Sequence, residues 1–325
     1  MGLSRTSPDS VLFTSYNVLN LFQEDSAAER KRHKLVTESI RALSPDVLAI
    51  QEIRAADRKT ARARLRRLAD EVGMRCTVPR PDNERAQPAL AMGTHGYHCG
   101  LMWRDGIEPV PGSLRCYGAA YFWHSLASVT LVVGGVQVRH AVHHATPFGR
   151  QLRADQNELV IAMLAIPRGG LPTLVGADWN TECADRVRDE KSGKWVLYEP
   201  ADPFAGTEWF DGLVYHCEWE YDSRGQRRHW ADRRPGDVLW AGGLYDAAAV
   251  LRAPWHATVG HHLDDPYGEH GIWRRIDAIR VTRPVVGALR AHHVEDTELT
   301  RRASDHLPVT VEYAPSALGE PAPSA

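Results

Sequence analysis

The feature that most constrains this chain is a set of polar residues placed at the ends of short apolar runs. The runs have the length and composition of buried β-strands. Carboxylate, amide and imidazole side chains stand at the end of these runs or just inside them: Asn17, Glu52, Asp178, Asn180, Asp277, Asp305 and His306. No single segment could place so many polar groups around one ion. The pattern therefore predicts an α/β scaffold that brings several strand ends to one site.

The hydrophobic pattern predicts alternating strands and helices along the chain. Predicted strands cover residues 11–16, 47–50, 99–103, 128–133, 137–143, 174–176, 276–281 and 307–313. Predicted helices cover residues 28–42, 54–72 and 155–165. Gly134 and Gly135 predict a hairpin turn between two strands. The mixture of βα and hairpin connections indicates two mixed sheets packed face to face and flanked by helices.

The candidate site residues extend from one end of the chain to the other. A chain of 325 residues is long enough for two domains, but a cut anywhere would divide the site. We therefore expect a single domain over residues 1–314, with a long tryptophan-rich insertion at about 182–275. Residues 79–96 are expected to form a loop, and residues 315–325 a disordered tail.

Charge and cysteine content exclude some classes of protein. With 39 basic against 41 acidic residues, the chain lacks the global positive field of nonspecific duplex binders. Five cysteines without CxxC spacing argue against a disulfide framework or a structural zinc site, and indicate reduced thiols. The N-terminal segment has no apolar core of signal-peptide length, and no apolar stretch is long enough to span a bilayer. We expect a cytoplasmic protein, and the sequence indicates no partner protein.

Six ordered segments carry a resemblance to a known family. They are TSYNVLN (14–20), DVLAIQE (46–52), HATP (144–147), GADWNTE (176–182), RIDAIRV (275–281) and SDHLPV (304–309). In this order they resemble the endonuclease/exonuclease/phosphatase superfamily, over residues 11–313. The resemblance implies the DNase-I-like fold, a four-layer α/β sandwich. It also implies an Mg²⁺- or Mn²⁺-dependent hydrolase of phosphoester bonds.

The resemblance assigns three residues to the metal. Glu52 is implied as the principal ligand, a hard oxygen donor suited to Mg²⁺ or Mn²⁺. Asn17 is implied in the ligand shell, with an orienting role, and Asp305 as a further carboxylate of that shell. Taken alone, Glu52 would be interpreted as an acid at a helix N-terminus and Asn17 as a turn residue.

The resemblance also implies the catalytic residues His144, Asp178, Asn180, Asp277 and His306. Asp178 and Asn180, two apart on an extended segment, would face one phosphate. Asp178 would activate the water, Asn180 would hold Asp178 or the phosphate, and Asp277 would fix the tautomer of His306.

Three features depart from the family pattern or leave a choice open. The family usually has Gly-Asp-x-Asn, whereas Ala177 intervenes here, after a strand expected to turn at Gly176. His143 is the alternative to His144 as the second catalytic histidine. Tyr97 could approach the phosphate or be structural.

The substrate is the least determined part of the sequence. Seven tryptophans interleaved with arginines in the 182–275 segment could stack unpaired bases or fill a second small core. The arginine-rich 54–67 stretch could be a solvated helix face or a phosphate contact. The leading hypothesis is a nuclease acting on DNA or RNA. The alternatives are a hydrolase of a small phosphorylated metabolite or lipid headgroup, and an inactive member that binds nucleic acid or protein.

Overall fold

The computed structural model describes residues 5–7, 9–81, 86–165, 170–262 and 270–319. The strands are β1 Val11–Leu21, β2 Val47–Arg54, β3 Thr77–Val78, β4 Gln87–Pro88, β5 Leu90–Met92, β6 Tyr97–Trp103, β7 Glu108–Pro109, β8 Arg115–Tyr117, β9 Ser125–Val133, β10 Val136–His144, β11 Thr173–Asp178, β12 Arg186–Arg188, β13 Trp195–Leu197, β14 Cys217–Tyr221, β15 Arg227–Ala231, β16 Tyr245–Asp246, β17 Asp277–Val281, β18 Leu289–Val294 and β19 Val309–Tyr313. The helices are α1 Ala27–Leu43, α2 Arg58–Val72, α3 Arg150–Leu164, α4 Arg234–Ala241, α5 Ala247–Leu251, α6 Arg283–Val286 and α7 Glu298–Ala303. Single 3-10 turns lie at Thr94–Gly96, Asp211–Tyr215 and Pro315–Ala317.

Two large sheets carry the architecture. The first has the strand order β18-β19-β1-β2-β6-β5, with β1 and β2 parallel and its other neighbours antiparallel. The second has the order β16-β17-β11-β10-β9-β7, with β8 also paired to β9 and only β10 and β11 parallel along this path. The prediction of mixed sheets is confirmed.

The alternation of buried residues explains the layering. Along β2, Val47 and Ala49 face the core between the sheets, whereas Leu48 and Ile50 pack with the apolar faces of α1 and α2. The second sheet repeats this arrangement, because Val160 of α3 and the α4 residue Leu239 cover its outer face. The result is helices, sheet, sheet and helices in four layers.

The two sheets approach closely at Gly176 in β11. A Cβ atom on Gly176 would lie 2.9 Å from the Cβ of Ser15 and 3.0 Å from that of Ala49, both in the opposite sheet. Gln51 connects the sheets at the same place, since its Nε2 donates to Ser15 Oγ at 3.1 Å and to Gly176 O at 3.3 Å. Glycine is therefore required here for spacing.

Gly176→Ala should destabilise the protein by about 1–3 kcal/mol, because the added methyl group must push the sheets apart. The measurement is the free energy of unfolding from denaturant titration. Ser15→Gly in the same chain removes one of the two opposing Cβ atoms and should restore part of the loss. Equal stability of Gly176→Ala and the parent protein would show that the sheets have room to spare.

Several predicted boundaries are corrected by the structure. β1 continues beyond residue 16 to Leu21, with an irregularity in its pairing after Asn17. Arg54 ends β2 rather than opening a helix, because the side chain of Asp57 caps α2 and accepts from Thr60 N. The third helix also begins earlier than predicted, at Arg150.

The expected loop and tail are partly ordered. Within residues 79–96, β5 pairs with β6 at the edge of the first sheet, a long-range pairing that local pattern does not reveal. Disorder is wrong for Pro315–Ala317, which forms a turn with Pro315 and Ala317 buried. Residues 82–85 and 320–325, on which the rest of these predictions falls, lie outside the described residues.

Other features agree with expectation. Gly134 and Gly135 have φ of 57° and 79° and join β9 to β10 as a hairpin. All five cysteines are free, and four of them are buried. Among the described residues, none of the helices combines the length and the apolar character needed to cross a bilayer.

The 182–275 segment forms two hairpins, β12–β13 and β14–β15, and supplies α4, α5 and the edge strand β16. Its small core consists of Phe204, Leu213, Cys217, Ala231 and Ile272, with Trp209 and Phe210 packed against it. Four of its tryptophans are exposed: Trp195, Trp230, Trp255 and Trp273. Trp209 thus serves a core role, while the exposed rings leave base stacking open.

Candidate active site

The site lies where neighbouring strands of the second sheet end together. Asp178 is the last residue of β11, and it pairs with His144 at the end of β10 on one side and with Asp277 at the start of β17 on the other. Strand register therefore places these three side chains next to one another. Gly176 and Ala177 both remain within β11, so the expected turn at Gly176 is wrong. The backbone turns instead at Asn180, with φ of 50°.

Asn17 connects the two sheets through its side-chain amide. Its Nδ2 donates to Glu52 Oε1 and to Asp178 Oδ2, both at 3.0 Å. Its Oδ1 accepts from Leu19 N at 3.1 Å. The amide thus presents its nitrogen to the carboxylates of both sheets.

Glu52 lies near the end of β2, an interior strand of the first sheet, in an unusual backbone conformation. Its φ is 67°, in the left-handed region that few non-glycine residues adopt. Its Oε2 accepts from the backbone N–H of Asn20 at 2.8 Å, and the side chain remains half-buried. The carboxylate is therefore fixed by amide donors while retaining access to solvent.

Asp178 is the most connected carboxylate of the site. Its Oδ1 accepts from Asn180 N at 2.9 Å, and its Oδ2 lies 3.3 Å from His144 Nε2 and 3.8 Å from His306 Nε2. Burial raises the pKa of this carboxyl, but the charge of His306 and the hydrogen bond with His144 lower it by a larger amount. The net pKa lies well below the usual range, so Asp178 is ionised at neutral pH.

The backbone at Asn180 is not extended, contrary to the prediction. Its left-handed backbone turns the side chain so that Nδ2 donates to Ala145 O at 3.1 Å. Trp179 is buried, with Nε1 donating to Ala278 O at 3.1 Å. Asn180 therefore connects the end of β11 to the segment that follows His144.

His306 and Asp277 form a close pair. His306 Nδ1 lies 2.7 Å from Asp277 Oδ2, which leaves Nε2 facing Asp178. Burial lowers the pKa of the His306 imidazole, but the carboxylates of Asp277 and Asp305 raise it more, and the net pKa lies well above its usual value. Asp305 lies on the same side, with Oδ1 4.0 Å from His306 Nε2, because the backbone bends at Asp305 and His306.

Asp277→Asn should lower the pH at which His306 loses its proton. The Asp277 charge raises the pKa of His306, so removing it should shift the titration of His306 to lower pH. The measurement is NMR of the imidazole in metal-free protein. Because the folded pKa is raised, the pairing stabilises the protein below the unfolded pKa of His306, and this stability is lost as pH rises through the folded pKa. Asp296→Asn, beside His256 at 3.4 Å, is the matched control and should leave His306 unchanged. An unaltered His306 titration in Asp277→Asn would contradict the pairing.

The structure distinguishes His144 from His143. His144 faces Asp178, whereas His143 points to the opposite side of β10, where Nδ1 bonds to Ser125 O at 3.0 Å. Burial lowers the pKa of His144, but the hydrogen bond and charge of Asp178 raise it more, with a net rise.

His124 belongs to the surroundings of the site and was missed by the sequence analysis. Its ring stacks on that of His144 with centroids 3.9 Å apart, and Tyr97 contacts it edge-on at 5.4 Å. Burial lowers the pKa of His124 well below its usual value, with the neighbouring His144 as a further cause. It carries a neutral ring. No motif marks His124, and only its place just before β9, which pairs with the end of β10, could have indicated it.

The donor set fits a divalent cation. Four carboxylates gather here, Glu52, Asp178, Asp277 and Asp305, against two imidazoles with raised pKa, so negative charge is in excess. Asp277 Oδ1 is buried without a hydrogen-bond partner among the described residues. Atoms of Asp178, Asp277 and His306 lie within 4.8 Å of one another, with His306 held by Asp277 as a proton donor beside the carboxylates. Hard oxygen donors with unbalanced charge suit Mg²⁺ or Mn²⁺.

The chain is similar to known proteins in both its fold and its sequence. The two facing mixed sheets with outer helices have the DNase-I-like fold, as the resemblance implied. Residues 14–307 match the Endonuclease/Exonuclease/phosphatase family, and the chain belongs to that family of phosphoester hydrolases. A comparison with curated proteins gave no significant match.

Solved structures share this fold at low sequence identity. D. rerio TDP2 complexed with single strand DNA product aligns with TM-score 0.58 and 14% identity, covering 94% of this chain and 98% of that one. Mannosyl-6-phosphatase Bt3783 of Bacteroides thetaiotaomicron aligns with TM-score 0.56 and 15% identity, covering 93% and 98%. An endonuclease/exonuclease/phosphatase family protein from Bacteroides thetaiotaomicron gives 0.57 and 16%, covering 93% and 94%.

Proposed function

We propose that this protein is a metal-dependent nuclease that hydrolyses phosphodiester bonds of DNA or RNA by in-line attack of water. The observation that carries the proposal is the environment of Asp178. This ionised carboxylate is fixed by Asn17 and Asn180 and flanked by two imidazoles. Such a group can direct a water molecule while neighbouring donors receive the phosphate charge.

The residues that would hold the metal are Glu52 and Asp305, with Asn17 positioning the Glu52 carboxylate. Bound Mg²⁺ or Mn²⁺ supplies charge neutralisation at the phosphate and at the leaving oxygen. Glu52 is suited to ligation because Asn17 and Asn20 fix its orientation before any ion binds.

The catalytic residues divide the remaining tasks. Asp178 accepts a hydrogen bond from the attacking water, orients its lone pair towards phosphorus and takes the proton as the bond between the water oxygen and phosphorus forms. The bond from phosphorus to the leaving oxygen breaks on the opposite side, and the leaving oxygen takes a proton from solvent. His306 is held in one orientation by Asp277 and donates Nε2–H to a nonbridging oxygen. His144 also contacts Asp178 and would donate a hydrogen bond to the phosphate. Asn180 holds Asp178 through its backbone N–H.

A second candidate is the hydrolysis of a small phosphorylated metabolite or lipid headgroup with the same residues. The near balance of 39 basic and 41 acidic residues favours it, because a long polyanion is bound most strongly by a positive surface. We also propose that residues 1–314 form one domain with an insertion at 182–275, because strand β16 of the insertion pairs directly with β17. We propose a cytoplasmic location for this domain.

The test is a panel of phosphoesters assayed with Mg²⁺, Mn²⁺ and EDTA: supercoiled plasmid, single-stranded DNA, RNA, and small mono- and diesters. We expect cleavage of nucleic acid with either metal and none with EDTA. Hydrolysis of small esters without cleavage of nucleic acid would transfer the proposal to the second candidate. Activity that persists in EDTA after removal of bound metal would contradict both.

A further inference from the structure

A group of aromatic residues lies on segments that adjoin the candidate active site. His124 stacks on His144, and the ring of the next residue, Trp123, lies 5.9 Å from Phe148. Phe148 in turn lies 5.1 Å from Tyr215, edge to face. We call Trp123, Phe148, Tyr215 and Trp219 the aromatic rim. The hydrolytic roles described above use none of these side chains.

Two rings of the rim are exposed, although they are apolar, and Trp123 and Trp219 are half-buried. Phe148 is 37% and Tyr215 39% exposed, and Leu152 beside them is 42% exposed. An aromatic surface of this kind beside a site is typical of a binding surface.

A buried arginine holds the rim in place. Arg153 is 1% exposed, and its guanidinium donates to Thr146 O at 2.9 Å, to Pro147 O at 2.8 Å and to Tyr215 O at 3.2 Å. These bonds connect the segment that precedes Phe148 to the segment that carries Tyr215. The two rings are therefore positioned before any ligand binds, which lowers the entropy cost of binding.

Beyond Tyr215 the rim borders a groove of about 480 Å³ lined in part by Arg150, Leu152, Trp219 and Arg234. Arg150 lies 4.6 Å over the ring of Trp219. The charges of the groove are balanced within it, because Arg234 lies 3.1 Å from Glu218 and 2.9 Å from Asp232, and Arg150 lies 3.8 Å from Glu218. The groove offers rings and paired charges, so it favours a planar, uncharged group over a phosphate.

We propose that the aromatic rim stacks the unpaired bases that flank the scissile phosphate, so that the substrate is a single-stranded nucleic acid. This inference rests on the proposed nuclease function. Phosphate and base are adjacent in a nucleotide chain, and here Trp123 of the rim immediately precedes His124, whose ring stacks on that of His144. Bases in a duplex already stack on one another, whereas those of a single strand are free to stack on aromatic side chains.

The test measures binding and cleavage of short fluorescent strands in two forms, one intact and one in which the bases are replaced by abasic residues. Phe148→Ala and Tyr215→Ala should each weaken binding of the intact strand by about tenfold, measured by anisotropy in the Asp178→Asn background, in which turnover is strongly reduced. Both should change binding of the abasic strand much less. The loss on the intact strand should depend little on salt, since stacking releases few counterions.

Two further variants complete the design. Phe148→Tyr keeps a ring and should recover the affinity. Trp195→Ala removes a side chain that is 65% exposed on the separate β12–β13 hairpin and should leave both strands bound as before. Matched melting temperatures would show that Phe148→Ala has not unfolded the protein. DNA and RNA versions of each strand identify which sugar the site accepts.

The outcomes separate the rim from the nuclease function. If the parent protein cleaves strands but Phe148→Ala weakens the binding of intact and abasic strands equally, the rim does not contact bases. In that case only this inference fails. Duplex bound as tightly as single strand overturns it as well. If small esters are hydrolysed while no strand is bound or cleaved, the nuclease proposal fails together with the rim.

Discussion

Asp178→Asn should reduce turnover by about 10²–10⁴-fold, because it removes the group that accepts the proton of water without changing side-chain volume. The asparagine would also present an amide to groups that now face a carboxylate, Asn17 Nδ2 at 3.0 Å and His144 Nε2 at 3.3 Å. Water would then be neither oriented nor deprotonated. The measurement is the steady-state rate on a small diester and on single-stranded DNA at saturating Mg²⁺.

The control for this substitution is Asp105→Asn, which makes the same chemical change at a side chain that is 89% exposed. It should retain full activity. Asp178→Asn should remain folded by circular dichroism and thermal melting, since β11 keeps its backbone pairing with both neighbours. Near-normal turnover in folded Asp178→Asn would show that another group activates the water.

Glu52→Gln should weaken metal binding and lower activity by a comparable factor at low metal concentration. A neutral amide oxygen is a poorer ligand than a carboxylate for a hard divalent cation. The substitution preserves shape, and the Asn20 N–H can still donate to the remaining oxygen. Raising Mn²⁺ should therefore recover part of the rate, and the measurement is the metal concentration that gives half-maximal activity.

Glu24→Gln, an exposed glutamate before α1, serves as the matched control and should leave the metal titration unchanged. Isothermal titration with Mn²⁺ gives a second readout that does not depend on turnover. An unchanged metal dissociation constant in Glu52→Gln would remove Glu52 from the ligand set.

The sequence was sufficient to predict the two mixed sheets and the residues that gather at their ends. Strand signals are local, and polar residues that end buried strands stand out against apolar runs, as Glu52 and Asp178 do. The pairing of Asp277 with His306 lay within reach because the resemblance implied it. The roles assigned to these residues remain predictions until the variants are measured.

What the sequence could not provide depends on contacts between distant segments. His124 stacks on His144 because β9 and β10 are paired, and nothing near His124 in the sequence signals a site. Likewise, the extended backbone expected through Asn180 fails because a left-handed turn stabilised by Asp178 takes its place. Short edge strands such as β5 also depend on a partner for their formation.

The hydrogen bond from Asn17 to Asp178 joins a residue of one sheet to a residue of the other. The candidate site is therefore complete only where the two sheets meet. In the proposed mechanism, turnover depends on the spacing between the sheets. Substitutions in the core between the two sheets, far from any phosphate, should shift the sheet spacing by fractions of an ångström and thereby change the rate.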